Sequence, residues 1–303
     1  MKFAAIDIGS NAIRLLFCNV IENGEPTFKK AELIRIPIRL GEDSFLLKKI
    51  SDKKADQLVK SMRAFAHLID VFEPIAYRAC ATSAMRDASN GREIIERIRM
   101  ESGLNVEIID GKNEAEIIYS NHIAEHLEHD KSYIYIDVGG GSTELTLFSH
   151  NEILASKSFN IGTIRMLHQQ IEKEPWNAFK DWIKQTTSPF KPIIAIGSGG
   201  NINKVFKMLR SKGNKPIHFT ELKALSDMLN SYSYEDRIKV LGLNPDRADV
   251  IIPAVKIFRS VMKAAEAQEV IVPQIGLSDG IVHLLYEKYR KEKLQEKVIT
   301  GGR

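Results

Sequence analysis

The chain has 303 residues, of which 44% are hydrophobic and 27% are charged. This composition is that of a folded globular protein and excludes a largely disordered or collagen-like chain, and the length allows about two domains. Its 43 basic and 39 acidic residues give a formal net charge of +4, too small for the dense positive surface of a dedicated DNA-binding protein. Any anionic ligand must therefore be bound by a local site.

The two cysteines, Cys18 and Cys80, lie in no disulfide or metal-binding pattern. The apolar N-terminus is interrupted by Asp7 and Arg14, so it lacks the continuous apolar run of a signal peptide. No 18-residue apolar run occurs elsewhere, which predicts no membrane span. We therefore expect a cytoplasmic protein.

In chain order, the first predicted elements are two strands joined by a tight turn. An apolar run from Phe3 to Ile8 is broken by Gly9-Ser10-Asn11 and resumes from Ile13 to Val20. Apolar runs bounded by glycine and small polar residues are typical of strands in a hairpin.

The same pattern recurs near the middle of the chain. A strand from Ile134 to Val138 leads into a glycine-rich turn at 139–143, and a second strand follows from Leu145 to Phe148. When Asp7 is aligned with Asp137, the two copies superpose, with one extra residue expected in the later copy. This predicts an internal duplication at an offset near domain size.

Between the copies, helices and strands alternate, which predicts an α/β fold. Apolar spacing predicts a helix over Ser51–Phe72. Asn90 followed by Glu93 predicts a capping box that opens a helix ending at Ser102. Strands are predicted at 75–83 and 105–110, and a further helix at 113–127.

After the second copy, helices are predicted near 163–170 and 176–185. A strand then passes through a third glycine turn, Gly197–Asn201, into a helix. The last predicted elements are a long helix from about Asp246 to Ala267, a strand at 269–276 and a final helix from Ser278.

The three glycine turns are candidate anion-binding sites. Glycines allow successive backbone N–H groups to point into one concavity, which binds anionic oxygens without a net positive protein. One such turn is usually an ordinary hairpin, but a repeated turn is more specific. The candidate phosphate-binding residues in these turns are Gly9, Ser10, Asn11, Gly139, Gly140, Gly141, Ser142 and Gly199.

Each copy also places an aspartate at the end of a buried apolar strand, Asp7 in the first and Asp137 in the second. An unpaired buried carboxylate is costly, so each needs a partner. A hard cation such as Mg²⁺ would supply one and would also screen phosphate charge. The alternative is that each carboxylate accepts N–H bonds from its own turn.

Six segments together resemble the exopolyphosphatase and guanosine pentaphosphate phosphohydrolase (Ppx/GppA) family of the actin-like ATPase and sugar-kinase superfamily. They are DIGSNAIRL at 7–15, ATSAMRDASN at 81–90, GKNEAEIIY at 111–119, DVGGGSTEL at 137–145, RADV at 247–250 and GLSDG at 276–280.

This resemblance implies an α/β fold of two actin-like (ribonuclease H-like) domains with an interdomain cleft and no C-terminal helical extension domain. The expected first domain comprises residues 1–122 with the last helix at about 284–297, and the second comprises 123–283. The resemblance also implies a homodimer.

Several residue roles follow from the resemblance. Glu114 matches the family's catalytic glutamate, which orients or deprotonates the attacking water. Arg14 and Arg86 match phosphate-binding positions. The residues that match metal-ligand positions for Mg²⁺ or another divalent cation are Asp7, Asp137 and Glu144.

The implied function is release of the terminal phosphate from polyphosphate or guanosine pentaphosphate. The chain departs from the family pattern at Ala12, Asn201 and Ser278, where serine, threonine and arginine are usual. These departures leave open a non-catalytic sensor of guanosine tetraphosphate or polyphosphate, and a phosphotransferase of the same superfamily remains a second alternative.

One further pattern points elsewhere. His122, Glu125 and His126 fit the HxxEH arrangement of some metalloproteases. Because so short a pattern arises readily by chance, we interpret it as part of a solvated helix surface.

Overall fold

The structure is a computed structural model that describes residues 1–120, 128–150, 152–209 and 215–301. The chain forms two compact units, Met1–Asn121 with Gly276–Arg303, and His122–Ile275. The domain limits implied by the resemblance stay predictions, and each unit is described by itself. No helix within the described ranges combines the length and apolarity needed to cross a bilayer.

The first unit is built on a five-stranded sheet with strand order β3-β2-β1-β4-β5. Strands β1, β2 and β3 form an antiparallel meander, and β4 and β5 continue the sheet in parallel with β1. The strands are β1 (Lys2–Ile8), β2 (Ile13–Asn23), β3 (Glu25–Ile36), β4 (Ala76–Ala81) and β5 (Val106–Ile108).

The described residues of this unit also form six helices. They are α1 (Leu40–Leu47), α2 (Asp52–Phe72), α3 (Ser83–Asp87), α4 (Gly91–Ser102), α5 (Gly111–Tyr119) and, from the end of the chain, α13 (Leu277–Gly301). The helix predicted at 51–72 is confirmed as α2, which buries the apolar side chains that carried the prediction, among them Leu58, Met62 and Phe65. Helix α13 packs against β1 and α5.

The second unit is built on a six-stranded sheet with strand order β10-β11-β9-β6-β7-β8. Strands β6, β7 and β8 again form an antiparallel meander, and β9 and β11 run parallel to β6. The strands are β6 (Ser132–Val138), β7 (Thr143–Ser149), β8 (Glu152–Phe159), β9 (Ile193–Ser198), β10 (Ile217–His218) and β11 (Glu269–Ile271).

Helices cover this sheet and bury one contiguous apolar core, in which Phe179, Phe258 and Ile136 are fully buried. The helices are α6 (Thr163–Leu167), α7 (Lys173–Thr187), α8 (Gly200–Leu209), α9 (Phe219–Ser231), α10 (Tyr234–Lys239), α11 (Pro245–Ala248) and α12 (Ile251–Ala265).

The duplication predicted from the sequence is visible in the topology, because β3-β2-β1-β4-β5 and β8-β7-β6-β9-β11 are the same arrangement of strands. The expected extra residue in the later copy is wrong. Ile8 pairs with Ile13 in the first hairpin and Val138 pairs with Thr143 in the second, so both turns contain four residues.

The predicted capping box at Asn90 is also wrong. Helix α4 begins at Gly91, and the Asn90 side chain makes no capping bond. Its Oδ1 accepts from the Ile50 amide (3.0 Å) and its Nδ2 donates to the Ile50 carbonyl (2.8 Å). The side chain therefore joins two loops that are distant in sequence. The predicted end of α4 is confirmed, since Gly103 follows it with a positive φ of 72°.

The single long helix expected at 246–267 is two helices, α11 and α12. The Ala248 carbonyl accepts from the Arg237 guanidinium, and Asp249 and Val250 separate the two helices. In a continuous helix this carbonyl would accept from the amide four residues later. The Arg237 side chain donates to it instead. The HxxEH segment at His122 to His126 lies outside the described residues.

Candidate functional site

The second glycine turn, Gly139–Ser142, is held by the start of α6. The amides of Thr163 and Ile164 donate to the carbonyls of Gly139 (3.0 Å) and Gly140 (2.9 Å). Gly162 permits this close approach, because a Cβ there would lie 2.3 Å from the Gly140 oxygen. Both carbonyls consequently point toward α6.

Arg165 completes this arrangement. Its Nε donates to the Gly141 carbonyl at 2.8 Å. Because C=O and N–H point in opposite directions across a trans peptide, the amides of Gly140, Gly141 and Ser142 point away from α6. None of the backbone hydrogen bonds among the described residues uses the Gly140 or Gly141 amide. Successive amides aimed one way are a physical basis for binding an anion.

Two carboxylates flank this turn. Asp137 on β6 and Glu144 on β7 are directly opposite each other in the antiparallel pair. Residues opposite one another share a face of the sheet and lie close together. Glu144 is buried, with 3% of its surface exposed, and its Oε1 accepts from the Ser158 hydroxyl at 2.8 Å. Two acidic side chains thus lie side by side at the strand ends that flank the turn.

The third glycine turn lies on the other side of Asp137, which pairs with Ser198 in the parallel β6–β9 ladder. Gly199 has a φ of 96°, and a Cβ there would lie 2.9 Å from Asp137 Oδ1. The N-terminus of α8 begins at the next residue, and the Arg247 guanidinium donates to the Gly200 carbonyl. The Asp137 carboxylate therefore lies against the turn from which α8 begins.

The donor set of this hairpin fits Mg²⁺. Mg²⁺ is commonly held by one or two carboxylates and otherwise by water and substrate phosphates. Asp137 and Glu144 supply such a pair. No group of three or more His, Cys, Asp or Glu within the described ranges is arranged as a metal cluster, so phosphate oxygens and water would complete the coordination.

The first glycine turn repeats the backbone arrangement of the second. The amides of Gly41 and Arg39, at the start of α1, donate to the carbonyls of Ser10 (2.8 Å) and Asn11 (3.0 Å). The turn closes with the Gly9 amide donating to the Ala12 carbonyl at 3.2 Å. The amides that follow those carbonyls therefore point away from α1.

The carboxylate of the first copy has a different partner. Asp7 lies opposite Arg14 in the β1–β2 pair, and Arg14 Nη1 donates to Asp7 Oδ2 at 2.5 Å. Asp7 is buried, so the ion pair balances its charge. The predicted roles of Asp7 as a metal ligand and of Arg14 as a phosphate contact stay predictions.

Ser83 is a neighbour of the first turn that the sequence analysis did not single out. Its hydroxyl lies 2.9 Å from that of Ser10, and both side chains are buried. Ser83 could have been found from the sequence, because it belongs to the ATSAMRDASN segment that contributed to the family resemblance. The hydrogen bond ties the first glycine turn to α3, the helix that carries Arg86.

Arg86 lies at the end of α3 and is half-buried. Its Nη1 donates to the Ile109 carbonyl at 2.9 Å, and its Nε lies 3.9 Å from Asp87. The loop after α3 requires Gly91, because a Cβ there would lie 2.1 Å from the Met85 carbonyl oxygen. Arg86 is therefore held by its surroundings.

Glu114 lies in the first turn of α5. The helix is capped by Asp110, whose Oδ1 accepts from the Asn113 amide at 2.7 Å. Glu114 is half-buried and its Oε2 is shielded from solvent. A carboxylate in a first helical turn is favoured by the helix dipole, so Glu114 occupies a favourable position in α5.

Helix α5 is positioned by the GLSDG segment at the start of α13. A Cβ at Gly280 would lie 1.9 Å from the Ile117 carbonyl oxygen. The Ser120 hydroxyl donates to the Ile117 carbonyl (2.6 Å) and lies 3.1 Å from the Gly280 carbonyl. Gly280 thus permits the two helices to approach closely, which fixes the element that carries Glu114.

Neither cysteine is suited to nucleophilic catalysis. Both are buried, and burial raises the pKa of Cys18 to about 11 and that of Cys80 to about 12. Both thiols are therefore protonated at neutral pH, whereas the thiolate is the reactive form.

Several known proteins are similar to this chain. A bifunctional 3-dehydroquinate synthase/phosphatase of Fusobacterium nucleatum is 30% identical, over 86% of this chain and 43% of that protein. Exopolyphosphatase 1 of Mycobacterium tuberculosis is 24% identical, over 93% of this chain and 87% of that protein. A guanosine-5'-triphosphate,3'-diphosphate pyrophosphatase of Vibrio parahaemolyticus is 23% identical, over 99% of this chain and 62% of that protein.

Among solved structures, an exopolyphosphatase from Cytophaga hutchinsonii superposes with a TM-score of 0.82 at 22% identity, covering 95% of this chain and 98% of that chain. This confirms the α/β fold expected from the sequence. The Ppx/GppA phosphatase family matches residues 31–289. The chain therefore belongs to the Ppx/GppA phosphatase family.

Proposed function

We propose that this protein is a Mg²⁺-dependent phosphohydrolase that releases the terminal phosphate from inorganic polyphosphate. The observation that carries the proposal is the second hairpin, in which the amides of Gly140, Gly141 and Ser142 point away from α6 while Asp137 and Glu144 flank the turn. Amides that bind phosphate oxygens, next to carboxylates that hold a hard cation, are what phosphoryl transfer requires.

In the proposed mechanism, the glycine-turn amides bind phosphate oxygens and so orient the terminal phosphoryl group. Mg²⁺, when held by Asp137 and Glu144, supplies charge neutralisation at those oxygens. By its match to the family's catalytic glutamate, Glu114 is assigned the role of orienting a water molecule and accepting its proton as the water oxygen attacks a terminal phosphorus. The bond from that phosphorus to the bridging oxygen breaks, and inorganic phosphate leaves.

Polyphosphate is preferred over guanosine pentaphosphate as the proposed substrate. The mycobacterial exopolyphosphatase is similar over 93% of this chain, and the solved structure with a TM-score of 0.82 is also an exopolyphosphatase. Guanosine pentaphosphate remains the second candidate, because the Vibrio pyrophosphatase has similarity over nearly the whole of this chain.

Phosphate release from a substrate panel tests the proposal. The panel contains polyphosphates of graded length, guanosine pentaphosphate and ATP, each with and without Mg²⁺. We expect Mg²⁺-dependent release from polyphosphate. Tight binding of polyphosphate or guanosine tetraphosphate without release from any substrate would identify a sensor. ATP consumption only in the presence of an acceptor would identify a phosphotransferase.

Homodimerisation and a cytoplasmic location, both expected from the sequence, stay predictions. Sedimentation of the purified chain tests the first and cell fractionation tests the second.

A further inference from the structure

The first unit contains a cavity of about 400 Å³ next to Arg86. It lies between the loop after α3, the start of α4 and the start of α5, and its lining includes the side chains of Arg86, Arg92, Ser89 and Asn113. Small-molecule sites commonly have volumes of a few hundred cubic ångströms. The cavity is therefore large enough for a ligand.

Arg92 distinguishes this cavity from an ordinary surface depression. Its side chain is exposed, and it forms no hydrogen bond or ion pair with any residue that the structure describes. The other arginines of α4 are paired, since Arg97 contacts Asp56 and Glu101 and Arg99 contacts Glu96. Arg92 is thus a cation on the cavity wall with its donors available.

The charges around the cavity favour an anion. Arg86 donates from one nitrogen to the Ile109 carbonyl, which leaves other guanidinium donors for a ligand. One acidic side chain, Asp110, belongs to the described lining, and its Oδ1 accepts from the Asn113 amide. The described lining thus has two arginines and one carboxylate, and Asp87, outside the lining, lies 3.9 Å from Arg86 Nε. Arg92 has no acidic partner among the described residues, so it gives the cavity wall a positive charge.

The ligand chemistry follows from the side chains present. Guanidinium groups bind phosphate oxygens in bidentate geometry. The described lining contains no aromatic side chain, so it offers no surface on which a nucleobase would stack. Asn113 lines the cavity and directly precedes Glu114 in the chain. A phosphate chain bound here would therefore contact the first turn of α5, the helix that carries Glu114.

We propose that this cavity binds an inner segment of a phosphoanhydride chain and that Arg92 is a specificity-determining residue for it. The inference rests on the proposed function, because it names how a long polyphosphate is held beyond its terminal group. Arg92 is exposed, so its contribution is screened by salt.

The test measures tripolyphosphate binding by calorimetry on the intact chain, together with steady-state phosphate release from long polyphosphate. Arg92→Gln is compared with wild type, with Arg92→Lys and with Arg99→Gln. The last variant removes an equal charge from an exposed position on the same helix that does not line the cavity. We expect Arg92→Gln to weaken tripolyphosphate binding roughly five- to tenfold at low salt, with a smaller difference at high salt. Arg92→Lys should restore part of the affinity.

For turnover, we expect Arg92→Gln to raise KM for long polyphosphate and to leave kcat unchanged. Equal effects of Arg92→Gln and Arg99→Gln, or no effect of either, would overturn the inference. If tripolyphosphate binds in an Arg92-dependent way but no phosphate is released, the hydrolytic function fails and the anion subsite stands. If phosphate is released and Arg92→Gln behaves as wild type, the subsite fails and the function stands.

Discussion

Glu144 lies directly across the β6–β7 pair from Asp137, at the position where the first copy has Arg14 across from Asp7. The same hairpin therefore carries an ion pair in one unit and two carboxylates in the other. Two adjacent carboxylates repel each other unless a cation lies between or beside them. The second hairpin is for this reason the better candidate for cation binding.

The first prediction follows from this pair. Glu144→Gln should weaken Mg²⁺ binding roughly tenfold or more, because it removes one of the two charges while keeping an oxygen that accepts from Ser158. Mn²⁺ binding followed by electron paramagnetic resonance, and the Mg²⁺ concentration that gives half-maximal phosphate release, measure the effect. Glu152→Gln is the control, since Glu152 is exposed at the start of β8 in the same unit. Equal metal affinities in the two variants would contradict the assignment.

The second prediction concerns the arginine that holds the second glycine turn. Arg165→Ala should lower the free energy of unfolding by about 1 to 2 kcal/mol, because the Gly141 carbonyl loses a charged donor. It should also weaken phosphate binding, since the amide of Ser142 is no longer held in one direction. Urea denaturation and calorimetry with inorganic phosphate measure both effects. Lys184→Ala, at an exposed position on α7, should change neither; unchanged phosphate affinity in Arg165→Ala would refute the positioning role.

The third prediction compares the two glycines of the GLSDG segment. Gly280→Ala should destabilise the protein by about 1 to 3 kcal/mol, because its Cβ would overlap the Ile117 carbonyl and force α5 away from α13. Activity should fall as well, since α5 carries Glu114. Gly276→Ala is the matched control, because a Cβ there meets nothing within 4 Å. Thermal unfolding and phosphate release measure the two effects. Equal unfolding temperatures and equal rates for the two variants would contradict a close approach of α5 and α13 at Gly280.

Much of the fold was predictable because it depends on local pattern. Apolar runs with strand or helix periodicity, interrupted by glycines, were enough to predict three features. These are the two glycine hairpins, helix α2 and the strand-turn-helix at 193–209. The third strand of each meander was not predicted. Strand β3 is mostly exposed along its length, so it lacks the alternation of buried and exposed residues that indicates a strand.

The candidate site was less predictable because it depends on register and packing. The pairing of Asp7 with Arg14 follows from a two-strand register that sequence spacing alone did not reveal. Asn90 was predicted to cap a helix, whereas tertiary contact with Ile50 engages its side chain instead. Arg92 is exposed and lies in no sequence motif. Its proposed role in binding depends on the cavity that it lines.

The fourth prediction concerns pH. Burial alone would raise the pKa of Asp43, but hydrogen bonds from Lys54 and Ser51 outweigh it and hold that pKa below its ordinary value of 3.8. Near pH 3.8 the folded state therefore binds fewer protons than the unfolded state. The ionised Asp43 stabilises the fold above this pH, and that stabilisation is lost as the pH falls through the lowered pKa of the folded state.

Asp43→Asn should accordingly be less stable than wild type at neutral pH, and the difference should shrink as the pH falls from about 5 to about 3. Urea denaturation across this range measures it. Asp70→Asn, at an exposed position on α2, should stay within about 0.5 kcal/mol of wild type. A difference for Asp43→Asn that does not change with pH would show that the ionised form is not what stabilises the fold.

The central claim is that Glu114 activates the water, and turnover by Glu114→Gln tests it most directly. The control is Glu116→Gln, which removes the same charge from an exposed position on the same helix. With long polyphosphate and Mg²⁺, we predict that Glu114→Gln lowers kcat by roughly 10²- to 10⁴-fold while tripolyphosphate affinity and the unfolding midpoint match those of wild type and Glu116→Gln. A kcat for Glu114→Gln equal to that of Glu116→Gln would contradict the account.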